Sequence, residues 1–251
     1  MIIDVHAHHF LYTNPINVLQ ENREKGVYII IENGLDPETN RKVVEISKKF
    51  DIVHPALGYH PVDIAKSNDS MIEQELKYIT ERINELIAIG EVGLDYYWVR
   101  DKISIEKQKK WFLRILELSE IYKKPIIVHS RKAEKDVIEL ATSYNSIIIL
   151  HSFWKPSLTK LAVEHGMYIS IPTFVYKDKG LQKIVQYTPL DLLLTESDAP
   201  FLDPIDKRNN KSWKIIYSLE KIAEIKGLNI GDIKAQIAKN FERAFDIEIL
   251  C

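Results

Sequence analysis

The sequence predicts an α/β protein, a TIM-like (β/α)8 barrel that forms a single domain over residues 1–251 and ends in C-terminal helices. Two observations support this prediction. Eight short apolar runs recur along the chain, with stretches of helical periodicity between them, and eight strands alternating with helices are the pattern of a closed parallel barrel. An open doubly wound sheet is the alternative. Its first strand is usually followed by a glycine-rich turn, whereas DVHAHH stands here.

The predicted strands are runs in which β-branched and apolar residues occupy successive positions, as they do in strands covered on both faces. In chain order they are IIDVHA from Ile2, VYIII from Val27, IVHPALG from Ile52, LIAIGE from Leu86, PIIVH from Pro125, IIILH from Ile147, YISI from Tyr168 and LLLTE from Leu192.

The segments between the strands predict amphipathic helices. From Ser104 to Lys124, large apolar side chains fall three and four residues apart, namely Trp111, Ile115, Leu118 and Tyr122. The segment from Ala133 to Asn145 has the same periodicity. We expect the tail GLNIGDIKAQIAKNFERAFDI, residues 227–247, to form a pair of helices that closes one end of the barrel.

Composition argues against several classes of protein. The formal net charge of -2 argues against a broad cationic surface for duplex nucleic acid, though not against a local phosphate site. Cys251 is the only cysteine, so we expect neither a disulfide within the chain nor a thiolate metal site. We see no leader and no apolar run near the ~18 residues that span a bilayer. We therefore expect a cytoplasmic protein that does not associate with a membrane. We also expect no obligate protein partner.

Polar side chains stand at the carboxyl ends of the predicted strands. His6 and His8 are two residues apart in the first strand, so both project to the same side. The fourth, fifth, sixth and eighth strands end in or are followed by four more candidates: Glu91, His129, His151 and Asp198. A parallel barrel brings the carboxyl ends of all its strands to one mouth, so we expect these residues to converge there.

Four imidazoles and two carboxylates in one pocket need a compensating charge. Two divalent ions (Zn, Mg or Mn) would supply it, because imidazole and carboxylate suit such ions and a carboxylate can bridge a pair. A single histidine after a strand is more often a hydrogen-bonded structural residue, and we assign His54 and His165 to that class. His9 points away from His6 and His8. The set as a whole predicts a binuclear metal centre.

Six motifs resemble the TatD family of metal-dependent deoxyribonucleases, within the amidohydrolase-like barrels. They are DVHAHH, GYHP, GEVGLDYY, VHSR, LHSF and TESDAPFL, and they cover nearly the whole chain in order. The resemblance implies a TIM-like barrel that uses divalent metal to hydrolyse phosphodiesters and trim DNA ends. It also implies a ligand set, in which His6, His8 and Asp198 hold one ion, His129 and His151 hold the other, and Glu91 bridges them.

Two stretches depart from the family pattern. LHSFWK stands where the family more often has a cysteine and a glycine around the sixth-strand histidine. After the eighth strand the family commonly has an arginine with an asparagine-glutamate-proline run. In KRNNKSWK, only Arg208 and Asn209 keep part of that pattern. The metal ligands are untouched, so these departures concern the substrate more than the reaction.

The predicted catalytic residues are Glu91, Asp198 and His60. Asp198 is placed to orient a water nucleophile and accept its proton while it binds a metal. His60, in GYHP, either contacts the phosphate or leaving group or only braces the turn at Pro61, and the resemblance favours the first reading. Counting Glu91, Asp198 and a hydroxide against two dications leaves about +1 in the pocket, which favours an anionic substrate.

Two residues beside the centre have open assignments. Arg131, two residues after His129, is able to hold a phosphate through two parallel hydrogen bonds, or is a solvated side chain at a helix start. Asp95, four residues after Glu91, either holds a ligand histidine by its free N–H or is a simple turn residue.

The predicted mouth loops contain aromatic residues that either stack on nucleobases or pack the loops themselves. They are Tyr96, Tyr97, Trp98, Phe153, Trp154, Phe174, Tyr176 and Phe201, of which Trp154 and Tyr97 are the stacking candidates. A few cations near the mouth are able to contact phosphates: Lys155, Lys207, Arg208, Lys211 and Lys214. We therefore expect the substrate to be a DNA end, single-stranded or frayed.

Two other functions compete with the nuclease. A small-molecule amidohydrolase or lactonase would use the same binuclear barrel, but many such sites bridge their metals with a modified lysine on strand four, where this chain has Glu91. A catalytically idle binding module would keep the barrel as a scaffold, and the intact ligands at every position argue against it.

Overall fold

Eight parallel strands, hydrogen-bonded in sequence order, form the barrel of the computed structural model, which describes residues 1–205 and 209–249. They are β1 Ile2–Ala7, β2 Val27–Asn33, β3 Val53–Leu57, β4 Ala88–Gly93, β5 Ile126–His129, β6 Ile148–Leu150, β7 Tyr168–Pro172 and β8 Leu193–Glu196. Each predicted run overlaps one of these strands, and β2, β4 and β7 extend one or two residues beyond their runs. Lys207, Arg208 and Cys251 lie outside the described residues.

The last strand returns to the first, which confirms the barrel. Ala7 pairs with Ala199 in a parallel bridge, and the backbone nitrogen of His8 donates to the oxygen of Ala199 at 2.8 Å. The hydroxyl of Thr195 donates to the carbonyl oxygen of Ile3 at 2.7 Å. A doubly wound sheet places its first strand inside the sheet and leaves two edges open. Here the strands follow sequence order, and β1 pairs with the segment that follows β8, so the doubly wound alternative is wrong.

The helices of the described residues alternate with the strands. They are α1 Pro15–Glu24, α2 Pro37–Ser47, α3 Pro61–Lys66, α4 Asp69–Glu81, α5 Lys102–Tyr122, α6 Glu134–Ala141, α7 Thr159–Glu164, α8 Lys179–Tyr187, α9 Ile215–Lys226 and α10 Ile230–Phe245. The predicted helix from Ser104 begins slightly earlier, at Lys102, because the Asp101 side chain accepts a hydrogen bond from the nitrogen of Ser104 at 2.8 Å. None of the helices described is long and apolar enough to cross a membrane.

The tail contains one helix, so the prediction that residues 227–247 form a helical pair is wrong. Gly227 has a φ of 65° and ends α9. The side chain of Asn229 then caps α10 by accepting from the nitrogen of Asp232 at 2.9 Å, and the helix continues to Phe245. Gly231 lies in the first turn, where it does not interrupt the helix. The two helices at the C-terminal end of the chain are α9 and α10, and both contact β8 and β1.

A close approach between β3 and β4 sets the position of Glu91. A Cβ atom built on Gly58 would lie 2.5 Å from the backbone nitrogen of Glu91 and 2.5 Å from the carbonyl carbon of Gly90. Real side-chain atoms do not come that close to backbone, so only glycine fits here. The backbone of Glu91 is also held by a hydrogen bond from its nitrogen to the oxygen of Gly34, at 2.9 Å.

We predict that Gly58→Ala lowers the free energy of unfolding by about 1–3 kcal/mol, the usual effect of overpacking a dense interior. Urea unfolding followed by circular dichroism measures this change. Gly180→Ala is the control, because its new Cβ would meet only the side-chain oxygen of Asp178, at 3.0 Å, and Pro156, at 3.8 Å. Equal stability of the two variants would contradict the prediction.

Candidate metal centre

The carboxyl ends of the strands surround a cavity of about 790 Å³. Its lining includes His8, His60, Glu91, His129, His151 and Asp198. His6 lies beneath them and is fully buried. The structure therefore brings together all the residues that the sequence placed at the strand ends.

Glu91 lies at the centre of this group, and its two carboxylate oxygens face different histidines. Oε2 is 3.4 Å from Nε2 of His6 and 3.3 Å from Nε2 of His8. Oε1 is 2.8 Å from Nδ1 of His129 and 3.9 Å from Nε2 of His151. One buried carboxylate thus contacts two separate sets of imidazoles, one through each oxygen.

Asp198, in the turn after β8, faces three of these four histidines. Its Oδ1 lies 3.7 Å from Nε2 of both His6 and His8, and 4.0 Å from Nε2 of His151. The residue has a φ of 55°, a left-handed conformation that aspartate tolerates better than most residues. Its nitrogen donates to the oxygen of His6 at 2.9 Å, and its oxygen accepts from the nitrogen of Phe201 at 2.7 Å.

The ligand atoms fit divalent metal. Nε2 of His6 and Nε2 of His8 are 2.9 Å apart, a spacing at which two imidazole nitrogens need a proton or a cation between them. In the described part of the chain, three groups have ligand atoms within 4.8 Å of one another: His6 with His8 and Asp198, His6 with Glu91 and His151, and His60 with Glu91 and His129.

These groups match the ligand set implied by the resemblance only in part. His6, His8 and Asp198 form one group, as implied for the first ion. His129 and His151 do not share a group. Their ring centroids are 6.3 Å apart, and each instead joins Glu91. His60 stands beside His129, which the sequence did not indicate.

Two carboxylates stand behind the histidines. Nε2 of His129 is 2.9 Å from Oδ2 of Asp95, which is the contact expected from the first of the two interpretations of Asp95. Nδ1 of His151 is 2.9 Å from Oε2 of Glu196, and this partner was missed. Glu196 is the last residue of β8, two residues before Asp198, so its place at a strand end was an available signal.

Burial and charge oppose each other throughout the centre. Burial raises the pKa of Asp198 to about 7, although the neighbouring imidazoles of His151 and His8 act to lower it. Burial would also raise the pKa of Glu91, but His60 and His6 hold it well below its usual range. Burial acts to lower the pKa of His151, and Glu196 nevertheless raises it to about 10. The centre therefore holds several interacting ionisable side chains that are almost completely shielded from solvent.

The carboxylates behind the histidines change the charge balance expected from the sequence. Glu91 and Asp198 against two dications and a hydroxide would leave about +1. Asp95 and Glu196 stand one imidazole farther out, and their negative charges would reduce that positive excess. Attraction of an anionic substrate would therefore depend on direct coordination and on cations around the mouth.

His60 caps α3 and also lines the cavity, while its contact with a phosphate or leaving group stays a prediction. Its Nδ1 accepts a hydrogen bond from the nitrogen of Val62 at 3.3 Å and caps α3. Its Nε2 faces the cavity, 3.6 Å from Oε1 of Glu91. Burial lowers the pKa of His60 to about 3, so the ring is neutral at pH 7. Since Nδ1 accepts, Nε2 carries the hydrogen and points it into the cavity.

The aromatic side chains of the mouth divide into buried and exposed sets. Trp98 and Trp154 line the cavity and are 65% and 38% exposed. Phe153 is fully buried, so it is not available to stack on a base. Tyr97 lies under the guanidinium of Arg131, 4.0 Å from its ring centroid. Arg131 is exposed, lines the cavity and has no carboxylate partner among the described residues.

Only part of the expected cation set reaches the mouth. Lys155 lines the cavity, together with Lys132, which the sequence did not indicate. Lys211 forms an ion pair with Glu21, and Lys214 forms one with Asp203. Both ammonium groups are thus already neutralised by carboxylates, and neither lysine lines the cavity.

The loop after β8 is organised by Asn210 rather than by Asn209. The Asn210 side chain is buried and donates to the hydroxyl of Thr173 at 2.7 Å and to the oxygen of Ser197 at 2.6 Å. Asn209 is exposed and has a φ of 72°. The asparagine that joins β7 to the Asp198 turn is therefore one position later than the family pattern suggested.

The remaining histidines lie away from the centre, as the sequence predicted. Nδ1 of His9 is 2.8 Å from Oε2 of Glu32, and its Nε2 is 3.0 Å from the side-chain nitrogen of Asn22. These contacts join the turn after β1 to β2 and α1, outside the cavity. His54 is half-buried within β3, and His165 is exposed at the end of α7.

Comparison with known proteins agrees with this geometry. Residues 3–246 match the family model described as TatD related DNase. A metal-dependent hydrolase of Bacillus subtilis, YabD, is 31% identical, over 98% of this chain and 100% of its own length. The human deoxyribonuclease TATDN3 is 28% identical, over 91% of this chain and 88% of its own. The crystal structure of the Escherichia coli TatD homologue YJJV has a TM-score of 0.87 at 22% identity and covers 98% of each chain. The chain therefore belongs to the TatD related DNase family of metal-dependent hydrolases.

Proposed function

We propose that this hydrolase uses two divalent ions to cleave phosphodiester bonds at DNA ends. The observation that carries the proposal is the orientation of Glu91, whose Oε2 faces His6 and His8 while its Oε1 faces His129. A carboxylate that contacts two sets of ligands through different oxygens suits a bridge between two ions. Deoxyribonuclease action by the human relative TATDN3 supports DNA as the substrate.

Residues on both sides of Glu91 would hold the ions, which we take to be Zn, Mg or Mn. His6, His8 and Asp198 would bind one ion, and His129 and His151 the other. Ions bound there would lower the pKa of a water and neutralise charge on phosphoryl oxygens. The donor set of imidazole nitrogens and carboxylate oxygens suits these ions.

Asp198 and His60 would manage protons and hydrogen bonds around the phosphate. Asp198 Oδ1 lies within 4.0 Å of three histidines and would orient the attacking water and accept its proton. The Nε2–H of His60 would donate to a phosphoryl or leaving-group oxygen. Its Nδ1 is occupied by the Val62 nitrogen, so the ring is held with that hydrogen in the cavity.

The shape of the site favours an end over the body of a duplex. The ligands lie deep in the cavity, whereas Arg131, Lys132 and Lys155 lie around its mouth. Three cations contact few phosphates, and a frayed terminal strand reaches a recessed site more easily than a paired duplex. Trp154 and Trp98 are exposed enough to stack on terminal bases. Tyr97 is the weaker candidate, because Arg131 covers its ring.

A small-molecule amidohydrolase or lactonase remains the second candidate. It has the same barrel, and many such enzymes bridge their metals with a modified lysine on the fourth strand. β4 is AIGEVG and contains no lysine, which favours the nuclease. The cytoplasmic location and the lack of an obligate protein partner stay predictions.

We predict that Glu91→Gln loses metal and activity together, because the variant keeps its shape but gives up the charge that would serve both ions. Elemental analysis of reconstituted protein should approach two ions per chain in the wild type and less than one in the variant. Glu32→Gln removes a buried carboxylate outside the cavity and should keep both ions. Full occupancy in Glu91→Gln would contradict the bridging role.

We predict that Asp198→Asn lowers turnover by about 10²–10⁴-fold, the range typical of losing a positioned acid–base group, while the fold is kept. Initial rates on a fluorescent single-stranded oligonucleotide, with metal content measured alongside, test this. Asp178→Asn is the matched control, since asparagine caps α8 as well as aspartate does. Wild-type turnover by a metal-loaded Asp198→Asn would exclude the assigned role.

We predict stepwise shortening of a linear single-stranded oligonucleotide and little cutting of the same sequence closed into a circle, because only the linear form offers an end. Gel electrophoresis over a time course distinguishes the two patterns. Equal cleavage of both forms would establish endonuclease action. If neither is cleaved in the presence of metal, hydrolysis of small esters and cyclic amides by the same preparation would favour the second candidate.

A further inference from the structure

The histidines of the centre differ in what holds the ring nitrogen that faces away from the cavity. Nε2 of His129 contacts Asp95 at 2.9 Å. Nδ1 of His151 contacts Glu196, also at 2.9 Å. His129 and His151 would hold the second ion, and in each ring the nitrogen that faces away from Glu91 contacts a carboxylate.

The rings that would hold the first ion have weaker support. Nδ1 of His8 contacts the backbone oxygen of Asn33 at 2.8 Å. Nδ1 of His6 is buried and has no hydrogen-bond partner among the described residues. Within this small centre, the partner of the rear nitrogen is thus a carboxylate for His129 and His151, a backbone carbonyl for His8, and absent for His6 among the described residues.

Both supporting carboxylates are themselves fixed by backbone. The Oδ1 of Asp95 accepts from the nitrogens of Tyr97, at 2.9 Å, and Trp98, at 2.7 Å. The Oε1 of Glu196 accepts from the nitrogen of Ser152 at 2.9 Å. Each carboxylate therefore has one oxygen on a loop and the other on a histidine, and neither is free to turn away.

This difference has a direct effect on metal affinity. A carboxylate that accepts from the rear N–H fixes the tautomer and ring orientation of a histidine and makes the ligand nitrogen more basic. His129 and His151 therefore present ordered ligand atoms before an ion arrives. His6 does not. No acceptor holds a hydrogen on its Nδ1, and its Nε2, the nitrogen that would bind the ion, instead contacts Nε2 of His8 at 2.9 Å. A buried unpaired polar atom such as this Nδ1 is itself unfavourable.

We propose that the two metal sites differ in affinity and fill in order. The ion held by His129, His151 and Glu91 binds first and more tightly, and the ion held by His6, His8 and Asp198 binds second and exchanges. Asp95 and Glu196 are the positioning residues that create the difference. This inference rests on the two-ion centre proposed above.

Asp198 does not reverse the order. Its Oδ1 lies 3.7 Å from the ligand nitrogens of His6 and His8, but also 4.0 Å from that of His151. Its charge therefore acts on both ions. The negative charges of Asp95 and Glu196 act mainly on the site that includes His129 and His151.

The test without mutation uses metal-stripped wild-type protein crystallised with one equivalent of Zn²⁺. Anomalous difference density should stand beside His129 and His151, and a second peak beside His6 and His8 should grow in as Zn²⁺ is raised. Density that appears first beside His6 and His8, or equally at both places, would overturn the proposed order.

Calorimetric titration of the metal-stripped protein with Zn²⁺ tests the positioning residues. Glu196→Gln and Asp95→Asn should each weaken the tighter binding step by about 10–100-fold and leave the weaker step unchanged. Glu32→Gln is the matched control, because it breaks the same kind of carboxylate–histidine pair, at His9, outside the cavity. Both steps should be unchanged in this control.

The outcomes separate the two proposals. Fewer than two ions at saturation in the wild type would overturn the two-ion centre itself. A second outcome is that the wild type binds two ions but the tighter binding step is unchanged in both Glu196→Gln and Asp95→Asn. That result would overturn the assignment of the positioning residues and leave the two-ion centre standing. Circular dichroism of each variant shows whether it is folded, and the wild-type crystals remain decisive if one is not.

Discussion

The backbone nitrogen of Asp198 donates a hydrogen bond to the carbonyl oxygen of His6 at 2.9 Å, and this contact lies where β8 meets β1. The next bond along the seam joins the nitrogen of His8 to the oxygen of Ala199 at 2.8 Å. The same two bonds close the barrel and place the last carboxylate against the first histidines. Closure and assembly of the centre are therefore one event, because residues so far apart in the chain have no local interaction to bring them together.

A buried polar layer supports this junction from below. Asp4 accepts from the nitrogen of Ser197 at 2.9 Å, from the Ser197 hydroxyl at 2.6 Å, and from the nitrogen of His6 at 3.2 Å. Burial raises the pKa of Asp4 to about 6 even though the hydrogen bonds from Ser197 act to lower it. A buried carboxylate is unfavourable unless it is hydrogen-bonded. Here the hydrogen bonds fix the turn that carries Asp198, and the hydroxyl of Ser197 in turn accepts from the nitrogen of Ala199 at 3.0 Å.

Much of this was predictable from sequence because the fold imposes simple patterns. Strands buried on both faces must be apolar throughout, so a histidine or glutamate at the end of one stands out, and parallel topology places such residues at one mouth. What sequence could not give depends on contacts between distant segments. Nothing near Lys211 in the chain shows that Glu21 neutralises it.

The loop after β6 shows a second limit. Phe153 and Trp154 are adjacent and similar in kind, yet one is fully buried and the other lies at the cavity. Their directions follow from the backbone of this loop, where Ser152 has a φ of 44°. The pattern of apolar residues in the sequence does not indicate where a single residue adopts a left-handed backbone conformation. The prediction for the C-terminal tail was wrong for a related reason. The turn at Gly227 and the cap at Asn229 decide where α9 ends and α10 begins.

Trp98 and Trp154 lie in loops and are exposed, whereas the clustered histidines and carboxylates are anchored at buried strand ends. The two parts of the site therefore tolerate change very differently. Replacing an exposed tryptophan removes few packing contacts, so we expect substitution at these positions to have little effect on stability. A barrel built this way tolerates substitution in its loops while its strand ends stay fixed, which fits a fold that is shared with the YJJV structure at 22% identity.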